Sequence, residues 1–359
     1  MALRRIRNQY ISQFIFISAI LGIGSAFALY ENYSLYQQSQ KEELVREAYA
    51  SNTILEAVLG DASKIVDVAR PKLEQASNNG KLTKESAYQI LKDAHLTFYS
   101  ANTNNSLQLA VFIDSNGLVQ ATSNGVVDNL IDLSDRLYFS MLKNNPKLQY
   151  AVGNLVTAKT TGLLTFHIAA PVLDRSGQFL GVITQQVDAE ALADHLAKSL
   201  NSIASTQILV NLEGGKLAFM YPKPSNQGNI DFHLSMHIDQ RVRDDGKGSG
   251  VVDISAANQL SQRCFVGYAI SKKYELVTTV SLPVEIVAAD YFKRSSLLIF
   301  IIVLGFISVA LTIWRFYKKA LIIAESLVIA FTDALTGLKN RRFFDTEFPK
   351  YWKDALRSR

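Results

Sequence analysis

Two apolar runs, one towards each end, set the terms for everything between them. The first, residues 11–29, is nineteen positions long and its only polar interruptions are Ser12, Gln13, Ser18 and Ser25; the second, residues 297–314, is eighteen positions dominated by Leu, Ile, Val and Phe. Runs of this length cross a ~30 Å hydrocarbon core as helices. Ala26-Phe27-Ala28 would also suit removal of a signal peptide, but the run is long for a signal core and a helical pattern continues beyond it. Two spans are therefore expected, over residues 10–30 and 295–314.

Charge orients them. The net +5 is carried at the ends: Arg4, Arg5 and Arg7 precede the first run, and residues 315–359 hold ten Lys or Arg against five Asp or Glu. The residues between sum to −3. Trp314, Tyr317, Lys318 and Lys319 form an interfacial border after the second run, whereas Lys293 and Arg294 on its other side run against the charge rule. Both termini are then cytoplasmic, and residues 31–294 face outward, which in a bacterium is the periplasm. Basic residues beside apolar runs are a membrane signature, so lipid is an expected partner and nucleic acid is not. The single cysteine, Cys264, excludes an internal disulfide, and within Cys-Phe-Val it reads as a small core residue.

The outward segment opens on a long helix, residues 31–76. Leu44, Ala48, Ser51, Leu55, Val58, Ala62, Ile65 and Ala69 follow a 4-3-4-3 spacing, a seam to be buried against its own domain or a second copy of the chain. Pro71 and Asn78-Asn79-Gly80 mark its end. A loose repeat follows. Residues 107–114 and 118–121 flank Ser115-Asn116-Gly117 as strand, turn, strand, and residues 208–212 and 216–221 do the same around Glu213-Gly214-Gly215. Each pair leads on to a longer hairpin: residues 163–172 with 179–187, then 264–270 with 274–281. The class is α+β, with a membrane-distal unit over about residues 85–190 and a membrane-proximal one over about 191–290.

Two such sheet units on one long helix between two spans resemble the double-Cache (PAS-like) sensor domain of bacterial transmembrane receptors. At motif level the resemblance rests on Asp135-Arg-Leu-Tyr-Phe139 and Phe179-Leu-Gly-Val-Ile183. It implies that Arg136, Tyr138 and Phe139 face a pocket for a small ligand, where a guanidinium would fork onto a carboxylate and the aromatics would wall the cavity. From spacing alone, Arg136 pairs equally well with Asp132 or Asp135 while Tyr138 and Phe139 serve the core. Amino-acid-binding members carry an acid late in the second hairpin strand; that slot holds Gln186 here, with Asp188 two residues on, on the same face but past the strand's expected end. Ile131 occupies the slot of an upstream tyrosine. These departures favour a simple carboxylate over an amino acid. His167 shares a face with Thr165 and joins the candidates, although a lone His on a strand is more often a core residue.

After the second span come residues 315–332, a signalling helix in which Leu321, Ala324, Val328 and Phe331 continue a seam able to pair two chains, hence an expected homodimer. Residues 333–345, Asp-Ala-Leu-Thr-Gly-Leu-Lys-Asn-Arg-Arg-Phe-Phe-Asp, read as a stop, a turn at Gly337 and a restart capped by Asn340. They resemble the opening segment of GGDEF-type diguanylate cyclase domains, carried by Asp333, Leu335, Thr336, Gly337, Leu338, Asn340, Arg341, Arg342 and Phe344. Residues 347–359 resemble that domain's first helix. The resemblance implies Mg²⁺, GTP and a cyclic di-GMP product for a complete domain. The metal-binding carboxylates, the guanine contacts and the Gly-Gly-Asp/Glu-Glu-Phe hairpin are absent from these 359 residues, since Gly214-Gly215 is followed by Lys216. The expectation is that this chain has no catalytic residues, binds no cofactor and makes no cyclic di-GMP alone. A non-catalytic receptor or decoy partner is the alternative; the sensor of a chemoreceptor or histidine kinase is another.

Overall fold

In the computed structural model the first apolar run and the seam belong to one helix, α1 (Ala2–Asn78). Of the two stop signals at its far end, only one acts. Pro71 lies inside the helix, which continues past it despite the lost N–H. The stop is at Gly80, in the left-handed region at φ 66°, where the N–H groups of Asn79, Gly80 and Lys81 reach the carbonyls of Gln75, Ser77 and Ala76 at 3.1, 2.9 and 2.8 Å. The structure describes residues 2–99, 106–199, 207–212, 217–221, 246–254 and 262–357, which divide into two compact units, Gln37–Ala289 and Met1–Tyr36 with Asp290–Arg359.

In the larger unit α2 (Lys84–Tyr99) leads into β1 (Leu107–Asp114), β2 (Val119–Thr122) and β3 (Gly125–Val126). Next come α3 (Leu137–Asn144), β4 (Ala151–Val152), β5 (Val156–Thr157), the hairpin β6 (Leu164–Leu173) and β7 (Phe179–Asp188), and α4 (Ala189–Ser199). The second sheet comprises β8 (Gln207–Leu212), β9 (Leu217–Tyr221), β10 (Lys247–Ile254), β11 (Gln262–Ser271) and β12 (Leu276–Pro283). The Glu213-Gly214-Gly215 turn lies outside the described residues.

The first sheet runs β3-β2-β1-β7-β6-β4, with β5 also on β6, and the second runs β10-β11-β12-β8-β9. All described pairings are antiparallel. With β3 and β5 set aside, both sheets have one order: second, first, fifth, fourth, third. The loose repeat in the sequence is thus a repeated topology. Two turns of the first sheet use one device. The Asp114 carboxylate accepts from the N–H groups of Asn116 and Leu118 at 2.9 and 3.0 Å, and Asp174 accepts from Ser176 and Gln178 at 2.8 Å each. The last hairpin departs from expectation: its second strand resumes at Leu276 rather than residue 274, because Glu275 completes the turn at φ 53°.

The seam is buried within its own unit: Leu44, Ala48, Ser51, Leu55, Val58, Ala62, Ile65 and Ala69 are each 3% exposed or less. Contact with the second sheet is close enough to require glycine, since a Cβ on Gly267 of β11 would stand 2.2 Å from the Leu44 carbonyl carbon. Nearby, the Thr278 hydroxyl donates to Asn52 Oδ1 at 3.1 Å.

In the other unit, Tyr36 and Arg294 both donate to Asp290 Oδ2, at 2.5 and 2.6 Å. The described chain ends in α5 (Val284–Arg294), α6 (Ser296–Phe331), α7 (Arg341–Thr346) and α8 (Phe348–Arg357). Among the described residues two helices, α1 and α6, are long and apolar enough to cross a membrane.

Candidate functional site

The site is built on the β6–β7 hairpin. Thr165, His167 and Ala169 stand directly opposite Asp188, Gln186 and Thr184, and β1 adds Val111 opposite Thr184 and Ile113 opposite Val182. Residues opposed in a ladder share a face, and α3 packs on this one. Tyr138, Phe139 and Leu142 join Val111, Ile113, Ala169 and Val182 in a single apolar cluster, with Phe139 edge-on to Phe179 at 6.0 Å. Further along the hairpin the same face turns polar. There the Tyr138 ring lies 5.1 Å from the imidazole of His167. Gly153 lets it come close: its N–H donates to the His167 carbonyl at 2.8 Å, and a Cβ there would lie 2.8 Å from Tyr138 Cδ1.

Four buried polar atoms gather at this end without a hydrogen-bond partner: the Tyr138 hydroxyl, Thr165 Oγ1, His167 Nδ1 and Gln186 Oε1. Their residues are 3% exposed or less. Gln186 is half engaged, since its Nε2 donates to Thr160 Oγ1 at 2.7 Å. A native core hydrogen-bonds nearly all of its buried polar groups, so four orphans on one face are a concentration that packing does not call for. Burial, reinforced by the positive Arg136, holds the His167 imidazole down to about 3, and burial pushes the Tyr138 phenol up. Both are uncharged near neutrality.

Arg136 is the residue just before α3, and its side chain is 13% exposed. Its Nη2 donates to the Thr157 carbonyl at 3.2 Å, and Nε lies 3.8 Å from Asp135. The pairing with Asp132 does not form: Asp132 accepts from the Ser134 N–H at 2.8 Å. Asp135 is held mainly by Lys159, at 3.1 and 3.2 Å. Asp188 has the expected facing but is the last residue of β7. Its Oδ1 accepts from the Glu190 and Ala191 N–H groups at 2.8 and 3.2 Å, capping α4, and its Oδ2 accepts from Gln108 at 3.3 Å.

The structure thus brings Arg136, Tyr138, His167 and Gln186 together, sets Phe139 toward the apolar end, and commits Asp188 to a helix cap. Thr165 and Thr160 were not among the expected site residues. The parity of Thr165 with His167 was the available signal; Thr160 sits in an irregular stretch that offered none. Among the described residues no group of three or more His, Cys, Asp or Glu is placed to hold a metal ion.

Residues 333–345 form the expected stop, turn and restart. Asp333 Oδ1 accepts from the N–H groups of Leu335 and Thr336 and from the Thr336 hydroxyl at 3.0–3.1 Å, contacts that hold its carboxyl below the usual range. Gly337 takes φ 69°, and Asn340 caps α7 by accepting from Phe343 N at 3.1 Å while its Nδ2 reaches the Ala330 carbonyl at 2.8 Å. Asp333, Thr336, Gly337 and Asn340 therefore shape the backbone. Leu335, Leu338 and Phe344 are 97%, 70% and 52% exposed, and Arg341 and Arg342 are exposed with them.

The chain is, by its own topology, an α+β protein with two sheets of one strand order on a shared helix. No family model and no curated protein matches the sequence. Solved structures similar to it include the periplasmic sensory domain of the Campylobacter jejuni chemoreceptor Tlp1, 13% identical with a TM-score of 0.49, covering 70% of this chain and 98% of that one. The ligand-binding domain of Mlp24 with asparagine is 17% identical, TM-score 0.48, covering 73% and 98%. The extracellular domain of soHK1S-Z6, assigned to a histidine kinase, is 14% identical, TM-score 0.47, covering 72% and 99%. These likenesses are of overall fold.

Proposed function

We propose that this chain is a two-span membrane receptor of the double-Cache type that binds a small carboxylate outside the bacterial inner membrane and signals inward through α6. The observation that carries the ligand reading is the set of four unpartnered buried polar atoms beside Arg136. A guanidinium with only one good hydrogen bond of its own retains the fork that a carboxylate fits. The apolar runs of α1 and α6 and the basic chain ends support the membrane placement, with both termini cytoplasmic. Leu321, Ala324, Val328 and Phe331 of α6 are the stripe on which two chains would pair.

For the output, the Asp333–Phe344 segment is the feature that favours a GGDEF diguanylate cyclase. The competing reading is a chemoreceptor or histidine-kinase sensor, and two of the similar structures named above come from such receptors. A chimera of residues 1–332 on an active cyclase domain separates them: its cyclic di-GMP yield should change with a bound ligand, and no change would favour the competing reading.

The test of the site is Arg136→Ala in the full chain in lipid nanodiscs, screened against short carboxylates, amino acids and amines by thermal shift. Loss of a hydrogen bond to a charged group costs roughly 1.5–3 kcal/mol, or about tenfold to a hundredfold in affinity. The empty variant should lose only about 0–1 kcal/mol of stability, because the Arg136–Asp135 contact is long, at 3.8 Å, and its carboxylate is 59% exposed. A ligand whose shift survives Arg136→Ala undiminished removes that residue from the site.

A further inference from the structure

On the reading just given, we infer that this site selects carboxylates bearing an uncharged hydroxyl next to the acid group, 2-hydroxy acids, and disfavours the matching 2-amino acids. The argument is one of donors, acceptors and charge. Among the described residues of the cluster Arg136 is the cation, and because Asp135 is held mainly by Lys159, a ligand carboxylate would balance it. Beyond Arg136 the one other charged group on the face is Asp188, whose oxygens are already engaged; the Tyr138 phenol, the Thr165 hydroxyl, the His167 imidazole and the Gln186 amide are neutral. Gln186 fixes the polarity of what it meets. Its Nε2 already donates to Thr160, so Oε1, buried and without a partner, is left as an acceptor that needs a donor. Thr165 Oγ1 and His167 Nδ1, on the same face, can each accept, and Thr165 can also donate.

An ammonium would satisfy Oε1, but it would bring an uncompensated positive charge into a buried site. The acid that could balance it is Asp188, whose two oxygens hold Glu190, Ala191 and Gln108. Recruiting it would uncap α4. A hydroxyl donates to Gln186 Oε1 and accepts from Thr165 with no net charge. A hydrogen in the same place leaves Oε1 unpaired. Selectivity of hydroxyl over hydrogen is therefore expected to be about tenfold or more.

The experiment uses the full chain in lipid nanodiscs at neutral pH and two matched sets of probes: lactate, propionate and alanine; malate, succinate and aspartate. Binding is read by calorimetry. Within at least one set the hydroxy acid should bind about tenfold tighter than its deoxy partner, and the amino acid should be weakest. Gln186→Leu should remove the advantage of the hydroxyl, bringing the hydroxy acid and its deoxy partner to the same affinity. Gln186→Glu, which adds the missing carboxylate, should reverse the order in favour of the amino acid. An amino acid that binds the parent chain as tightly as the hydroxy acid, or a deoxy acid that does so, overturns the inference and leaves the carboxylate site standing. Should none of the six bind, both the inference and the carboxylate reading fall. The parent ranking decides the matter even where a variant does not fold.

Discussion

Gly267→Ala is the sharpest test of how α1 is seated on the second sheet. A Cβ at this position would stand 2.2 and 2.3 Å from the carbonyl carbon and oxygen of Leu44 and 2.4 Å from Val45 N. Ordinary carbon contacts lie at roughly 3.5–4.0 Å, so helix and strand must part locally by about 1 Å. The obstacle is backbone on both sides, and no side chain can swing aside to absorb it. The seam through Leu44 and Ala48, 2% and 0% exposed, would lose contact as the helix lifts. Overpacking of a tight core costs about 1–3 kcal/mol and sometimes more; this position should fall at about 3 kcal/mol or above. Gly60, in the middle of the same helix, is the control. The nearest atom to a Cβ there is the Tyr274 hydroxyl at 3.9 Å, so Gly60→Ala should fit and gain roughly 0.5–1 kcal/mol in helix propensity. Urea unfolding of the full chain in detergent, followed by circular dichroism, reads both. A Gly267→Ala protein within about 0.5 kcal/mol of the parent, or a Gly60→Ala protein less stable than it, would refute the seating.

Two further outcomes follow from individual residues. His167 is held down to about 3 in the folded state against an unfolded value near 6.5, so the unfolded chain binds the extra proton between those limits. Its contribution is complete above pH 6.5 and drains away as pH falls toward 3, on the order of 2 kcal/mol by pH 5; His167→Leu should flatten, though not abolish, the loss of stability between pH 7 and 5, because half-buried His95 is shifted the same way. An unchanged slope would place His167 in a wetter setting. The Tyr150 hydroxyl donates to both Asp67 oxygens at 2.7 and 2.6 Å, and burial with that bond pushes it up to about 12. Tyr150→Phe should therefore cost about 1 kcal/mol, equally at pH 7 and pH 9, and a variant as stable as the parent would show that the bond contributes nothing.

What the sequence disclosed, and what it withheld, follows from the range of each signal. Hairpins were legible because alternation and a turn residue both act within ten positions: β1–β2 and β6–β7 fall within a residue or two of expectation. The seam of α1 was legible as a period but silent about its partner, since the same stripe fits a second chain or the domain's own sheets. Pro71 misled because a proline near a helix end usually terminates it, while here the left-handed residue nine positions on does so. The two-residue strands β4 and β5 are too short to show a period. At the site, the family resemblance singled out Gln186, and the structure sets it opposite His167. Parity placed Asp188 on the face of Gln186, but only the structure shows one of its oxygens bound to backbone N–H groups and the other to the Gln108 side chain. The partners of Arg136 turn on Thr157 and Lys159, more than twenty residues away, and no local pattern announces them.

The shared strand order has a consequence for how such a chain can be assembled over time. In each sheet the first and last long strands are neighbours, with Leu107 paired to Val187 in one and Gln207 to Ser281 in the other. The points where the chain comes in and leaves are therefore about 5 Å apart, one rung of a ladder. A segment with that property can be excised and its flanks rejoined by a residue or two, or copied and set beside itself, without threading any strand through another. Tandem duplication, fusion to a new pair of flanking helices and exchange of one sheet for a relative's all become single splicing events.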